Sequence, residues 1–381
     1  RRALGICLAL AAAAPRGVGA WDKDGHEAIG MTTMSALEAH ATAEVKHLMG
    51  GRDAADVASW AHKVNKKFPW TVELHFQRQR TWNCAKADMS ECSDNRCLVR
   101  GLKHFYGRLS NKPLVSVNWP SGMPKLTDAD CVKFLINLIG DLHQPMHLSK
   151  DANDMGRNIT VVYRGKTMSL FDLWDKELTQ IVMKQSPGFW LGGWTNVQRT
   201  RVEYEQDGAR WKTEGVAMFD RWADETVKYL CESVYRHPIT RDVLIPDEPS
   251  AAPIHIGEDL VDVWKRDMLS KMLVAGARTA IVLNAILQHR EALTELHAGT
   301  AVKDLEGEEE AAAPSRAPFG RQGDIPLGAA KTISGVPAGL INLVTFVSVG
   351  AVFVYVMRTW EGRDAVNQAD RAKQREGGKK T

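Results

Sequence analysis

Between residues 21 and 297 apolar side chains recur mainly at helical spacing, three and four apart. Residues 28–49, rich in Ala and Met, carry this period. Residues 128–142 form the strongest amphipathic segment and stop just ahead of Pro145. Residues 202–235 and 260–288 read as long helices with no proline or other internal breaker. The best strand candidate is residues 159–163, one arm of a small hairpin turning near Arg164 and Gly165. There is no internal repeat. The pattern predicts an all-α body with a minor β-hairpin.

The flanks depart from this period. Arg1 and Arg2 precede an apolar run over 3–14 that ends in the small residues Val18, Gly19 and Ala20. This is the layout of a secretory signal peptide over 1–20. Cleavage after Ala20 leaves Trp21 with a free α-amine. The chain opens without Met, so its N-terminus is expected to be incomplete. Residues 333–357 are 25 long and uncharged, which at about 1.5 Å per residue reaches ~37 Å, enough to span a bilayer. Arg358, Arg363, Arg371 and Lys373 follow. The positive-inside rule makes residues 358–381 a cytosolic tail and the body luminal or extracellular. This predicts a single-pass type I membrane protein of the secretory pathway. Residues 298–332, acidic and rich in Pro and Gly, read as a disordered stalk.

The chain has 381 residues, 44% hydrophobic and 25% charged, as a globular protein should. A net charge of +3 neither favours nor excludes a nucleic-acid partner. Beyond the signal peptide the cysteines are Cys84, Cys92, Cys97, Cys131 and Cys231. The expected pairs are Cys92 with Cys97 across a short loop and Cys84 with Cys231, leaving Cys131 as a buried thiol. Asn158, in Asn-Ile-Thr, is a glycosylation acceptor.

Candidate chemistry centres on residues 134–147, where Asp141 sits inside an apolar run with His143 and His147 behind it. A carboxylate there is costly without a partner. An Arg, a cap, a backbone donor or a metal would each serve. Four other segments pair His or Asp with Trp, Gly or apolar neighbours: Trp21 to His26, Ser59 to His62, Glu73 to Phe76 around His75, and Leu173 to Asp175. Histidines and carboxylates scattered through a helical protein are the material of a multi-zinc site. Taken singly, such a His is more often a packed core residue.

Together and in this order the segments resemble the secreted single-strand-specific zinc nucleases, the S1/P1 family, with the run from Gly140 to His147 the most specific part. The spacing of the four paired cysteines is similar to that family's two disulfides. The resemblance implies a mostly helical hydrolase with three zincs, acting on single-stranded DNA, RNA or 3′-nucleotides to give 5′-phosphate products. One zinc would be held by the Trp21 amine and carbonyl, His26 and Asp141. The second would take positions 62, 75 and 137, with Asp141 bridging. The third would take His147, position 171 and Asp175. Water activation would fall to Asp141, His75 and His62.

The resemblance also breaks at named positions. His62 stands for an Asp, Asn137 for a His, Phe171 for a His, and Asn65 for an Arg that would neutralise phosphate. His62 still binds zinc, Asn137 is a poor ligand, and Phe171 is none. One to three zincs are therefore expected, with slower turnover or none. Asp172 or His143 would have to complete the third set, and Lys63 or Lys66 to replace the charge missing at Asn65. The alternative is a degenerate surface or luminal binding protein. Trp60, Trp70, Trp82 and Trp119 either line a base-stacking cleft or pack the core.

Overall fold

The computed structural model describes residues 21–90, 92–112, 114–122, 124–185, 193–246 and 252–288. The expected signal peptide, stalk, membrane span and tail lie outside them. Helices α1 (Asp22–Ala36) and α2 (Ala39–Leu48) divide the single helix expected over 28–49. Leu37 turns extended between them, and the Glu38 amide donates to Asn284 Oδ1 at 3.0 Å. A tertiary hydrogen bond thus caps a break that local periodicity does not show. Helix α3 (Ala54–Val57) opens on a capping box between Asp53 and Asp56. Helix α4 (Trp60–Lys67) follows, then a 3₁₀ turn over Pro69–His75.

Helices α5 (Leu98–Leu109) and α6 (Asp128–Leu142) pack side by side, with Phe105 stacked on Phe134 at 4.6 Å. Helix α6 has the bounds its period predicts. Thr127 and Asp130 form a second capping box at its start, and its end falls just before Pro145. Residues 130–142 are all buried, so α6 is a central helix.

Strands β1 (Thr160–Tyr163) and β2 (Lys166–Ser169) form the expected antiparallel hairpin, paired from Thr160–Ser169 to Tyr163–Lys166. Arg164 and Gly165 both take positive φ, 48° and 74°, as a two-residue hairpin turn requires. A third strand, β3 (Ile254–His255), joins β1 in parallel, giving the order β2-β1-β3. Its two residues are too few to show alternation in the sequence.

Helix α7 (Leu170–Asp172) runs through a π turn, Leu173–Glu177, into α8 (Leu178–Gln185). The uninterrupted helix expected over 202–235 is instead α9 (Gly193–Glu214) and α10 (Met218–Tyr229), followed by a π turn, Leu230–Val234. Gly215, at φ +56°, breaks it, a conformation that costs glycine little. Helix α11 (Glu258–Leu287) covers the span expected over 260–288. It is apolar and long enough to cross a membrane by composition, yet it packs against α1, α6 and α9, so its apolarity is that of a core helix.

The interior holds two apolar clusters. One centres on α5, α6 and α10 through Phe105, Phe134, Phe219 and Trp222. The other gathers Trp21, Phe76, Phe171, Trp174 and Trp264. Disulfides join Cys84 to Cys231 and Cys92 to Cys97, as expected, and Cys131 is buried outside both.

Helix α1 is held at close range on two sides. A Cβ at Gly30 would come within 2.5 Å of Ala55 Cα, and one at Gly276 within 2.5 Å of Thr32 Cβ. Gly30→Ala or Gly276→Ala is expected to destabilise the fold by about 1–3 kcal/mol. That lowers the melting temperature by roughly 2–4 °C per kcal/mol. Scanning calorimetry checks it, and an unchanged melting temperature would mean that these contacts yield freely.

Candidate metal centre

Helix α6 presents Asn137, Gly140 and Asp141 on one face, since residues three and four apart are neighbours on a helix. Gly140 leaves room for a ring: a Cβ there would lie 2.9 Å from His26 Nδ1. His26, on α1, thereby brings Nε2 to 3.4 Å from Asp141 Oδ1. The 3₁₀ turn ending at His75 sets its Nδ1 2.6 Å from Asp141 Oδ2. His147, from the 3₁₀ turn Pro145–Leu148, has Nδ1 3.7 Å from Asp141 Oδ1. His62, on α4, completes the group, with Nε2 3.2 Å from His26 Nε2 and its ring stacked on His75 at 4.8 Å.

Backbone pairing keeps His75 and His147 adjacent. The Gln77 amide donates to the His147 carbonyl at 2.9 Å, and the Gln79 amide to the Ser149 carbonyl at 3.1 Å. The His147 Nδ1–H donates to the His75 carbonyl at 2.6 Å, which fixes the tautomer and leaves Nε2 as a lone pair.

His26, His75, Asp141 and His147 are wholly buried, and His62 is half-buried. Yet His26 Nδ1, His62 Nδ1, His75 Nε2 and His147 Nε2 have no hydrogen-bond partner. An orphaned buried polar atom costs about 1–3 kcal/mol, so several in one place suit a cation-binding site. Ligand-type atoms of His26, His62 and Asp141 already lie within 4.8 Å of one another.

The protonation states agree. Burial pushes the Asp141 carboxyl up, but the charges of His75 and His147 and hydrogen bonds from His26 and His75 outweigh it and hold the group well below the carboxylate range. Burial, then His75 and His26, drives His62 well below the ordinary imidazole value. Burial pushes His147 down to about 4, against the pull of Asp141. A carboxylate held ionised beside His62 and His147, both held toward the neutral form, is a donor set that suits zinc, so these residues fit that ion.

The substituted positions have found other partners. The Asn137 Nδ2 donates to the Ala58 carbonyl at 2.8 Å, just ahead of α4, while its Oδ1 is unpartnered. Asn65 is buried, and its Oδ1 accepts from Thr71 Oγ1 at 2.5 Å. Phe171 packs near Phe76 and stacks on the His147 ring at 5.8 Å. His143 and Asp172 do not complete the third set. His143 donates through Nδ1 to the Ile139 carbonyl at 2.7 Å and accepts at Nε2 from Arg278 at 2.9 Å. Asp172 accepts from Ser169 and Lys176. Lys63 and Lys66 are exposed along α4.

Trp21 is wholly buried. Its Nε1–H donates to the Gly140 carbonyl at 2.8 Å, and its own carbonyl accepts from Gly25 at 3.0 Å. Trp60 is core, edge-on to Phe134. Trp82 is half-buried against Tyr235. Trp70 and Trp119 form a half-buried pair at 5.2 Å. Asn158 is exposed, as a glycosylation acceptor must be. Sequence spacing gives no sign of Arg157, whose guanidinium lies 4.0 Å from the Phe171 ring centre and 5.0 Å from that of Phe76. Only the fold brings those rings together.

Asp175 lies at the margin of the group, buried, with both oxygens unpartnered. Burial pushes its carboxyl up to about 7, Lys176 opposing and Asp22 adding to the rise. The folded protein therefore binds this proton more tightly than the unfolded chain, where an Asp titrates near about 3.9. The resulting stability is full below that value and is lost as the pH rises through about 7. In metal-stripped protein Asp175→Asn is expected to recover a few kcal/mol at pH ~8 and little at pH ~4. Urea unfolding at both pH values checks this, and equal effects at both would contradict it.

Residues 21–288 match the S1/P1 Nuclease family. Endonuclease 2 of Arabidopsis thaliana is 24% identical over 251 residues, covering 63% of this chain and 84% of its own length. Nuclease P1 of Penicillium citrinum is 23% identical over 234 residues, covering 57% and 83%. Nuclease S1 of Aspergillus oryzae is 24% identical over 234 residues, covering 56% and 76%. The family match spans every side chain of the histidine–aspartate cluster and both disulfides, and the chain belongs to the S1/P1 nuclease family.

Proposed function

We propose that this chain is a zinc-dependent phosphodiesterase that cleaves single-stranded DNA or RNA, or 3′-nucleotides, to 5′-phosphate products. Residues 333–357 would anchor it in a membrane of the secretory pathway, with the body luminal or extracellular. The observation that carries the reading is the set of buried His26, His75 and Asp141 with half-buried His62, and its unpartnered imidazole nitrogens.

In this reading His26, His62, His75 and Asp141 hold the metal, together with Trp21 once its amine is freed. Zinc there supplies Lewis-acid polarisation of a phosphate oxygen and lowers the pKa of water. Asp141 stays ionised and would offset part of the ion's charge. The His75 carbonyl orients His147, so that its Nε2 points free. The Trp21 indole is anchored to the Gly140 carbonyl, one residue before Asp141 on α6. Exposed Lys63, Lys66 and Lys67 on α4 would draw a polyanion toward it. The Trp70–Trp119 pair, with Arg96 6.0 Å over Trp70, would stack bases.

A second reading is a family member that binds its ligand without hydrolysing it. What favours it is that Phe171, Asn137 and Asn65 have each settled into a neutral packing or hydrogen-bonding role.

Signal-processed protein is assayed on single-stranded DNA and RNA with zinc and with chelator. Chelator-sensitive release of 5′-phosphate ends is expected. Asp141→Asn or His75→Ala is expected to lower it by more than about a hundredfold. Tight zinc binding with no hydrolysis across pH would instead support the binding-protein reading. Activity that then appears in the combined variant His62→Asp, Asn137→His and Phe171→His would assign the loss to those positions.

A further inference from the structure

We propose that Arg157 is a substrate-phosphate-binding residue, supplying positive charge at the end of the cluster where the chain has too few donors for a further metal ion. This rests on the phosphodiesterase reading above.

The two ends of the cluster differ in chemistry. Around His26, His62 and Asp141 the ligand atoms converge. At the other end His147 Nε2 and the Asp175 oxygens are unpartnered, but Phe171 fills the adjoining position with a ring. A zinc site needs about four ligands, and two side chains leave it short. Arg157 stands over that same ring, 4.0 Å from its centre, and its charge acts on both His147 and Asp175.

Arg157 is also under-used by the protein. Its side chain is 11% exposed, yet its nearest carboxylate oxygen, on Asp154, is 3.7 Å away. Its hydrogen bond to the Asp154 carbonyl is long, at 3.5 Å. Arg78, the neighbouring guanidinium over Phe76, contrasts with it. Arg78 is shared among Glu73, Asp151 and Asp154 at 3.2, 3.1 and 3.4 Å. Its charge is spent, and that of Arg157 is not.

A guanidinium carries five N–H donors in a planar fork that matches two phosphate oxygens. Contact over the Phe171 ring and near Phe76 restrains the guanidinium before any ligand arrives, so less freedom is lost on binding. A phosphate drawn to the metal cluster is thus also gripped by Arg157, which takes the part of a cation that Phe171 cannot help to hold.

The test titrates inorganic phosphate and thymidine 5′-phosphate into the zinc-loaded full chain by calorimetry. Natural protein, Arg157→Gln and Arg157→Lys are compared, with zinc content and melting temperature measured alongside. Arg157→Gln is expected to keep its zinc and melting temperature and to bind both ligands at least about tenfold more weakly. Arg157→Lys, which keeps the charge but loses the fork, is expected to fall between. Unchanged affinity in the Gln variant overturns the proposal. So does loss of zinc in that variant, because Arg157 would then be supporting the cluster, and so does a natural protein that binds neither ligand. Should the Gln variant not fold, the Lys variant decides, and natural affinity in it overturns the proposal. Arg157-dependent phosphate binding without any hydrolysis would sink the phosphodiesterase reading and leave Arg157 as the phosphate-binding residue of a family member that does not hydrolyse its ligand. Hydrolysis and binding unchanged in Arg157→Gln would do the reverse.

Discussion

A wholly buried, ionised carboxylate in the last turn of an apolar helix is the constraint around which this body is arranged. Asp141 lies in α6 among residues that are all buried. The Born cost of such a charge is large unless positive charge or donors surround it. Three elements answer that demand. Helix α1 brings His26 through the space that Gly140 leaves, and two 3₁₀ turns bring His75 and His147. The side-by-side pairing of the segments after His75 and His147 then follows from holding both rings against one carboxylate. His62 and His147, held toward the neutral form, answer only part of the demand, and the unpartnered nitrogens of the group leave room for the rest to come from a metal ion.

The departures from the family pattern are not empty holes. Asn137 ties Ala58 and so the start of α4, which carries His62. Asn65 is locked to Thr71. Phe171 joins Phe76 and His147 in an aromatic stack that a guanidinium completes. Each of these side chains makes a packing or hydrogen-bonding contact of its own, although Asn137 Oδ1 and Asn65 Nδ2 stay buried without a partner. The outcome is a centre of two characters, histidine and carboxylate at one end, aromatic and guanidinium at the other.

Much of the fold was legible in the sequence because its signals are local. The capping residues Thr127 and Asp130 and the stop at Pro145 bracket α6, and Arg164-Gly165 marks the hairpin turn. What escaped was non-local or small. The α1–α2 break depends on Asn284, some 246 residues away. The break at Gly215 rests on one glycine inside a long polar period. Strand β3 is two residues long. In the site, the His and Asp positions were legible because charge in an apolar run is conspicuous. The roles of His143 and Asp172 were not, because the Arg278 and Ser169–Lys176 contacts that occupy them exist only in the folded chain. Arg157 was invisible for the same reason: a single arginine gains meaning only when Phe76 and Phe171 meet beside it.

The most direct test of the central claim is anomalous diffraction at the zinc edge from crystals of signal-processed protein. The account predicts a zinc peak within bonding distance, about 2.0–2.2 Å, of Asp141 and of histidine nitrogens from the group His26, His62 and His75. A well-ordered cluster with no peak after zinc loading, its imidazoles paired only with one another and with Asp141, would contradict it.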